Sequence, residues 1–173
     1  GDKVPLLTTE IWVRDIEYTK QQLGIELTED VEYYLLTAIE AQLHNIEFVD
    51  HFIAQEFLEM LQFETHDVEQ LKQLAEYCLL LSGFFPARSF DLGGGSLGLL
   101  IHIGQHAYGR LAVISLQESS ACLKCYNQVG KDFIKLVDIL LMLKHQWSGG
   151  SSLNPAMVEE LWGYQSQYAR VLR

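Results

Sequence analysis

Residues 6–82 read LLTTEIWVRDIEYTKQQLGIELTEDVEYYLLTAIEAQLHNIEFVDHFIAQEFLEMLQFETHDVEQLKQLAEYCLLLS, with one glycine, Gly24, and no proline. Glycine and proline are what usually divide a chain into strands and turns. Their near absence over this length predicts helix. In residues 9–23, Trp12, Ile16 and Leu23 lie near one face, with Ile11 at its edge. Gly24 then supplies a left-handed stop without a side-chain penalty. Thr28 is the expected N-cap of the next helix, with Glu29 and Asp30 at its positive end.

The stretch 29–62 carries Leu36, Ile39, Leu43, Ile46, Ile53, Phe57 and Met60 at three-four spacing with one gap, and Phe48 and Phe52 off that stripe. A segment apolar on more than one side belongs at the centre of a bundle. A straight helix of this length would span about 50 Å, so the sequence predicts a bend near 44–47 or a dimer that uses the overhang.

Downstream, Thr65 is placed to cap a helix over 67–81, which stops at Ser82-Gly83 ahead of Pro86. The longest loop, 84–96, precedes a helix over 97–117. Gly104 and Ala107 share a face of it that permits close helix approach. Ser119-Ser120 opens a helix running to 147. After the loop SGGSSL at 148–153, Asn154-Pro155 starts the last helix, for which proline at the first position is preorganised. The expected fold is all-α, a single-domain bundle of about six or seven helices with a long or bent helix, 29–62, at its centre. A chain of 173 residues suits one domain with a sizeable core.

Composition narrows the function classes. The chain is 49% hydrophobic and 20% charged, which implies a buried helix or an oligomer interface. Net charge is −11 and uneven: residues 1–76 hold 17 acidic and 4 basic side chains (−13), residues 77–173 hold 6 and 8 (+2). An acidic half repels phosphate backbones, so no nucleic-acid partner is expected. That half is a solvated face, or a surface for a basic protein partner. Three cysteines, Cys78, Cys122 and Cys125, are too few for a disulfide framework and favour a reducing, cytoplasmic compartment. The opening GDKVPLLTTEIW lacks the basic-then-apolar layout of a signal peptide. Leu97 to Leu116 is interrupted by His102, Gln105, His106 and Arg110, so no membrane span is expected.

Several residue groups invite a chemical reading. Gly93-Gly94-Gly95-Ser96-Leu97-Gly98 matches G-x-G-x-x-G formally, but no strand precedes it and the Lys-Ser/Thr of a P-loop is missing. A connecting loop is the better account. Cys122 and Cys125 form a C-x-x-C pair near a helix start, where the dipole and Lys124 favour a thiolate. A thioredoxin-like sheet is absent, and small buried cysteines are common. His102 and His106, four apart, share a helix face, and with the two cysteines make a two-His, two-Cys set on paper. The cysteines begin a helix about 17 Å beyond His106, so no metal site is expected there. Glu40, His44, Glu47 and His51 line one face but invert the Glu-x-x-His order of di-metal bundles. Asp50 interrupts an apolar stripe and calls for a partner such as Arg110, Lys131 or Arg14. No serine or cysteine protease signature occurs.

The stretch LLLSGFFPARSF, followed by IGQHAYGRLA, resembles a functionally uncharacterised family of small bacterial all-helical proteins. Gly83, Phe84, Phe85, Pro86 and Arg88, then Gly104, Ala107 and Tyr108, carry the resemblance. It implies a bacterial cytoplasmic protein and brings no activity or cofactor with it. The sequence reading is a non-enzymatic interaction or assembly protein, a homodimer without cofactor. The alternative is a small-molecule binder or enzyme with a pocket under the 84–98 loop. In it Arg88 would hold an acidic ligand, and His102, His106 and Tyr108 would supply polar and acid–base groups. Thiol redox through Cys122 and Cys125 stands behind both.

Overall fold

The computed structural model describes residues 4, 5, 7–46, 55, 59, 67–89, 96–118 and 124–173. Helix α1 (Thr9–Leu23) starts where the Thr8 hydroxyl accepts the Ile11 N–H at 3.3 Å and ends at Gly24, with φ +66°. Helix α2 (Glu29–Ile46) is capped by Thr28, whose hydroxyl accepts the Val31 N–H at 3.3 Å. Lys20 ties the two together, 2.8 Å from Glu17 and 3.1 Å from Glu32.

Helix α3 (Val68–Phe84) is capped by Asp67, which accepts from the amides of Glu69 and Gln70. The expected cap, Thr65, lies outside the described residues. The helix also runs past the predicted stop at Ser82-Gly83. Gly83 is a contact, not a terminator: a Cβ there would lie 2.3 Å from the Leu140 Cβ. The chain leaves the helix only at Phe85-Pro86, in a 3-10 turn over Pro86–Ser89, because proline cannot continue the ladder.

Helix α4 (Leu97–Glu118) is followed by α5 (Lys124–Lys131), α6 (Phe133–Ser148), α7 (Pro155–Gly163) and α8 (Gln167–Leu172). The described residues thus form eight α-helices, against six or seven from sequence. Two expected helices are each split. The first breaks at Asp132 (φ −91°, ψ 7°), whose carboxylate is held by the Gln128 amide at 3.0 Å. The second breaks where Gln165 takes φ +63° and Ser166 begins a new helix, its hydroxyl accepting the Ala169 N–H. Ser166 in turn donates to Asp138 of α6, and the Gln167 N–H donates to the same carboxylate at 2.8 Å. Burial raises the Asp138 carboxyl to about 6 against the pull of these two donors.

One hydrophobic core runs through all eight helices. Its centre is α3, buried at every residue from 74 to 84, packed against α6, buried from 136 to 144. The described part of the 29–62 stretch, α2, is instead one-sided. It buries Val31, Leu35, Leu36, Ile39, Leu43 and Ile46 and exposes Tyr33, Glu40, His44 and Asn45. Residues 47–54 of that stretch, with Glu47, Phe48, Asp50, His51 and Phe52, lie outside the described residues, as do 56–58 and 60–62. Trp12, Phe84 and Trp147 lock α1, α3 and α6 together, with ring centroids 5.4–6.1 Å apart. Among the described residues no helix is long and apolar enough to cross a membrane. Helix α4 packs on α3, α5, α6 and α7 and leaves one long side outward.

Candidate functional site on helix α4

Helix α4 buries Leu97, Leu100, Ile101, Ile103, Gly104, Ala107, Tyr108, Leu111 and Ser115. Gly104 is required by this packing: a Cβ would lie 2.5 Å from the Phe133 ring and 3.0 Å from the Cys78 Cβ. One turn on, the wholly buried Tyr108 reaches across to α2 and α3. Its hydroxyl is 3.1 Å from that of Tyr34, and the Tyr34 O–H donates to the Glu76 carboxylate at 2.8 Å. The Gln42 amide donates to the other Glu76 oxygen at 3.2 Å. Because the one Tyr34 hydroxyl proton goes to Glu76, Tyr108 donates to Tyr34, and the order is Tyr108 to Tyr34 to Glu76.

Glu76 is 2% exposed. A carboxylate so deeply placed requires donors, and Tyr34 and Gln42 supply them. Burial, then the neighbouring hydroxyl and the Glu76 charge, pushes the Tyr34 phenol well up. Burial and the Glu76 charge do the same to Tyr108. Both therefore stay protonated at neutral pH and act as donors. Tyr126 closes the cluster edge-on to Tyr34, with centroids 5.8 Å apart. On the solvent side Glu76 and Gln42 help line a trough of about 410 Å³ between α2 and α3. Thr37, Gln70, Lys72 and Gln73 are among its walls. The network joins three helices through hydrogen bonds.

The opposite face of α4 is different in kind. Among its described side chains the exposed ones are Leu99, His102, His106, Gly109, Val113 and Leu116. They recur at intervals of three and four, the spacing of a helix-packing seam. Leu116 is 84% exposed, Val113 58% and Leu99 37%. His102 and His106 lie together on this face with ring centroids 4.7 Å apart and planes tilted by 53°. A Cβ added at Gly109 would meet nothing within 4 Å. At the start of the seam the Tyr164 hydroxyl donates to the Gly98 carbonyl, the residue before Leu99, at 3.3 Å, and its side chain is partly exposed.

The sequence-predicted residues therefore fall in distinct settings. His102 and His106 come together on the outer face, while Tyr108 points inward to Tyr34 and Glu76. Arg88 donates to the Ile46 carbonyl at 2.9 Å and lies 5.7 Å from the centroid of the Phe85 ring. Lys144 occupies that same ring at 4.5 Å and donates to the Phe84 carbonyl at 2.6 Å. Cys125 faces the Asp30 carbonyl of α2 at 3.5 Å; Cys122 lies outside the described residues. So do Gly93, Gly94 and Gly95. The Gly98 N–H, a donor that a phosphate loop would offer, is taken by the Glu160 carboxylate at 2.7 Å. Among the described residues no three His, Cys, Asp or Glu side chains converge as a metal site.

Sequence reasoning passed over Tyr34, Glu76 and Gly109. Glu76 had a signal: it stands inside the run LAEYCLLL, where a carboxylate interrupts apolar residues. Gly109 had one as well, a glycine well inside a helix. Comparison with protein-family models, curated proteins and solved structures finds no match to this chain.

Proposed function

We propose that this chain is a non-enzymatic interaction protein that assembles with itself as a homodimer in a bacterial cytoplasm. One observation carries the reading: a 22-residue helix whose inner face is fully packed presents an outer stripe of apolar and formally uncharged residues to solvent. A charged or amide-rich stripe is the ordinary outer face of a bundle helix. Here no Asp or Glu occurs between Leu97 and Gln117 in a chain of net charge −11. The inward polar network supports the same reading, since its phenols are held protonated and its carboxylate is engaged by two donors. The resemblance noted in the sequence, and the small number of cysteines, support the bacterial and cytoplasmic setting.

Sedimentation equilibrium from micromolar to submillimolar protein tests it. The expected mass rises from the 19.8 kDa of one chain towards twice that value. A mass fixed at one chain across the range overturns the reading.

A further inference from the structure

We infer that the two copies meet along the outer seam of α4, antiparallel, about a two-fold axis crossing the helix between His106 and Gly109. This rests on the self-assembly reading and adds the surface, direction and register. The exposed positions 99, 102, 106, 109, 113 and 116 read the same from either end, three-four-three-four-three. Laid antiparallel on itself, the seam sets Leu99 against the partner's Leu116, His102 against the partner's Val113, and His106 against the partner's Gly109. Large apolar residues close both ends, and at the centre each imidazole meets a position with no side chain.

Gly109 is the independent observation. Glycine inside a helix is unfavourable relative to alanine. The fold explains Gly104, where a Cβ would strike Phe133, but a Cβ at Gly109 meets only open space. Nothing within one described copy requires a glycine there, whereas close approach of a second helix does.

Charge fits a second copy as the occupant. The seam carries no carboxylate, so two copies of an acidic protein meet at a face without like charges. The acidic excess sits in residues 1–76, and α4 packs chiefly on α3, α5, α6 and α7. Area sets the strength. The seam from Leu99 to Leu116 is about 25 Å long and about 10 Å wide, on the order of 250 Å² per copy, below the roughly 800 Å² per partner of a standard interface even when each Tyr164 widens it. The dimer is accordingly weak and dissociates on dilution.

Thiol cross-linking reads the register. Leu99→Cys and Leu116→Cys are made in separate chains and oxidised with copper–phenanthroline, alone and mixed, with the unsubstituted chain as control for native thiols. Both positions are exposed, so neither change touches the core. The antiparallel seam predicts a mixed disulfide dimer several-fold above control and none above control from either variant alone. Positions 99 in the two copies would be about 25 Å apart, beyond disulfide reach. Cross-linking of Leu99→Cys with itself means a parallel seam and overturns the inference. A dimeric mass without the mixed product overturns this inference while leaving self-assembly standing. A monomeric mass at every concentration overturns both.

Discussion

The two faces of α4 share one backbone and obey opposite rules. On the inner face each small or polar residue answers to a neighbour: Gly104 to Phe133, Tyr108 to Tyr34 and, through it, Glu76. On the outer face Leu116 and Val113 are mostly exposed, and a Cβ at Gly109 would meet nothing within 4 Å. The proposed dimer gives the outer residues the neighbours that the fold already gives the inner ones. The difference also separates two kinds of glycine that sequence alone cannot tell apart.

The largest expected effect comes from moving bulk onto the inner face. Gly104→Leu should destabilise the fold by about 3 kcal/mol or more, since overpacking a filled core forces backbone shifts. The urea midpoint measures it. Loss below about 1 kcal/mol would mean the α4–α6 contact is looser than the structure has it.

Next come the buried hydroxyls. Tyr34→Phe removes the donor to Glu76 and the acceptor of Tyr108, and should lower stability by about 2 kcal/mol. Tyr108→Phe leaves Glu76 with both of its donors and should lower it by about 1 kcal/mol. Because the two share one network, the double variant should lose less than the two single losses together. Strict additivity would show that the relay is not coupled.

Asp138 extends the inward half of the comparison to a charge. Its carboxyl, raised from 3.8 to about 6, binds protons in the native state that the unfolded chain has already released. The stability it contributes is therefore full below about pH 4 and is lost as pH rises through 6. Asp138→Asn removes that dependence. The stability of the natural chain relative to the variant should fall between pH 4 and 7, by on the order of 2 kcal/mol. Chemical denaturation at several pH values measures it, and a constant difference would contradict the assignment.

The smallest effects belong to the outer face. Val113→Ser and Leu116→Ser should each change the stability of dilute, monomeric protein by no more than about 0.5 kcal/mol, as surface changes do. The same substitutions should weaken self-association.

The fold was legible wherever a local signal agreed with packing. Gly24, Thr28 and the Asn154-Pro155 pair bound their helices as the sequence implies, because caps are decided by neighbouring residues alone. The breaks at Asp132 and Gln165 were not legible. At Gln165 a left-handed residue and a distant partner fix the break, Ser166 turning the chain where Asp138 of another helix receives it; at Asp132 the carboxylate's partner is Gln128, four residues earlier. Gly83 misled because glycine near proline reads as a stop, while its true neighbour, Leu140, is more than fifty residues away. The stretch 29–62 can be judged only over 29–46. Its apolar pattern pointed to more than one buried side; the described part, α2, buries one side, while α3 is buried at every residue from 74 to 84 and packs against α6. Of the candidate site, the histidine pair could be placed on one face from spacing. The inward direction of Tyr108, and its partners on α2 and α3, needed the tertiary fold.

The most direct test of the claim that α4 is shaped for a partner is Gly109→Ala, read for stability and association together. Within one copy the added methyl meets no atom, and alanine should stabilise the helix by about 1 kcal/mol. Against a second helix the same methyl intrudes, and the dimer dissociation constant should rise by about tenfold, equivalent to ~1.4 kcal/mol. A higher melting temperature in dilute protein with weaker self-association is the predicted pair. A higher melting temperature with unchanged association would contradict the account, because the seam would then not close over Gly109.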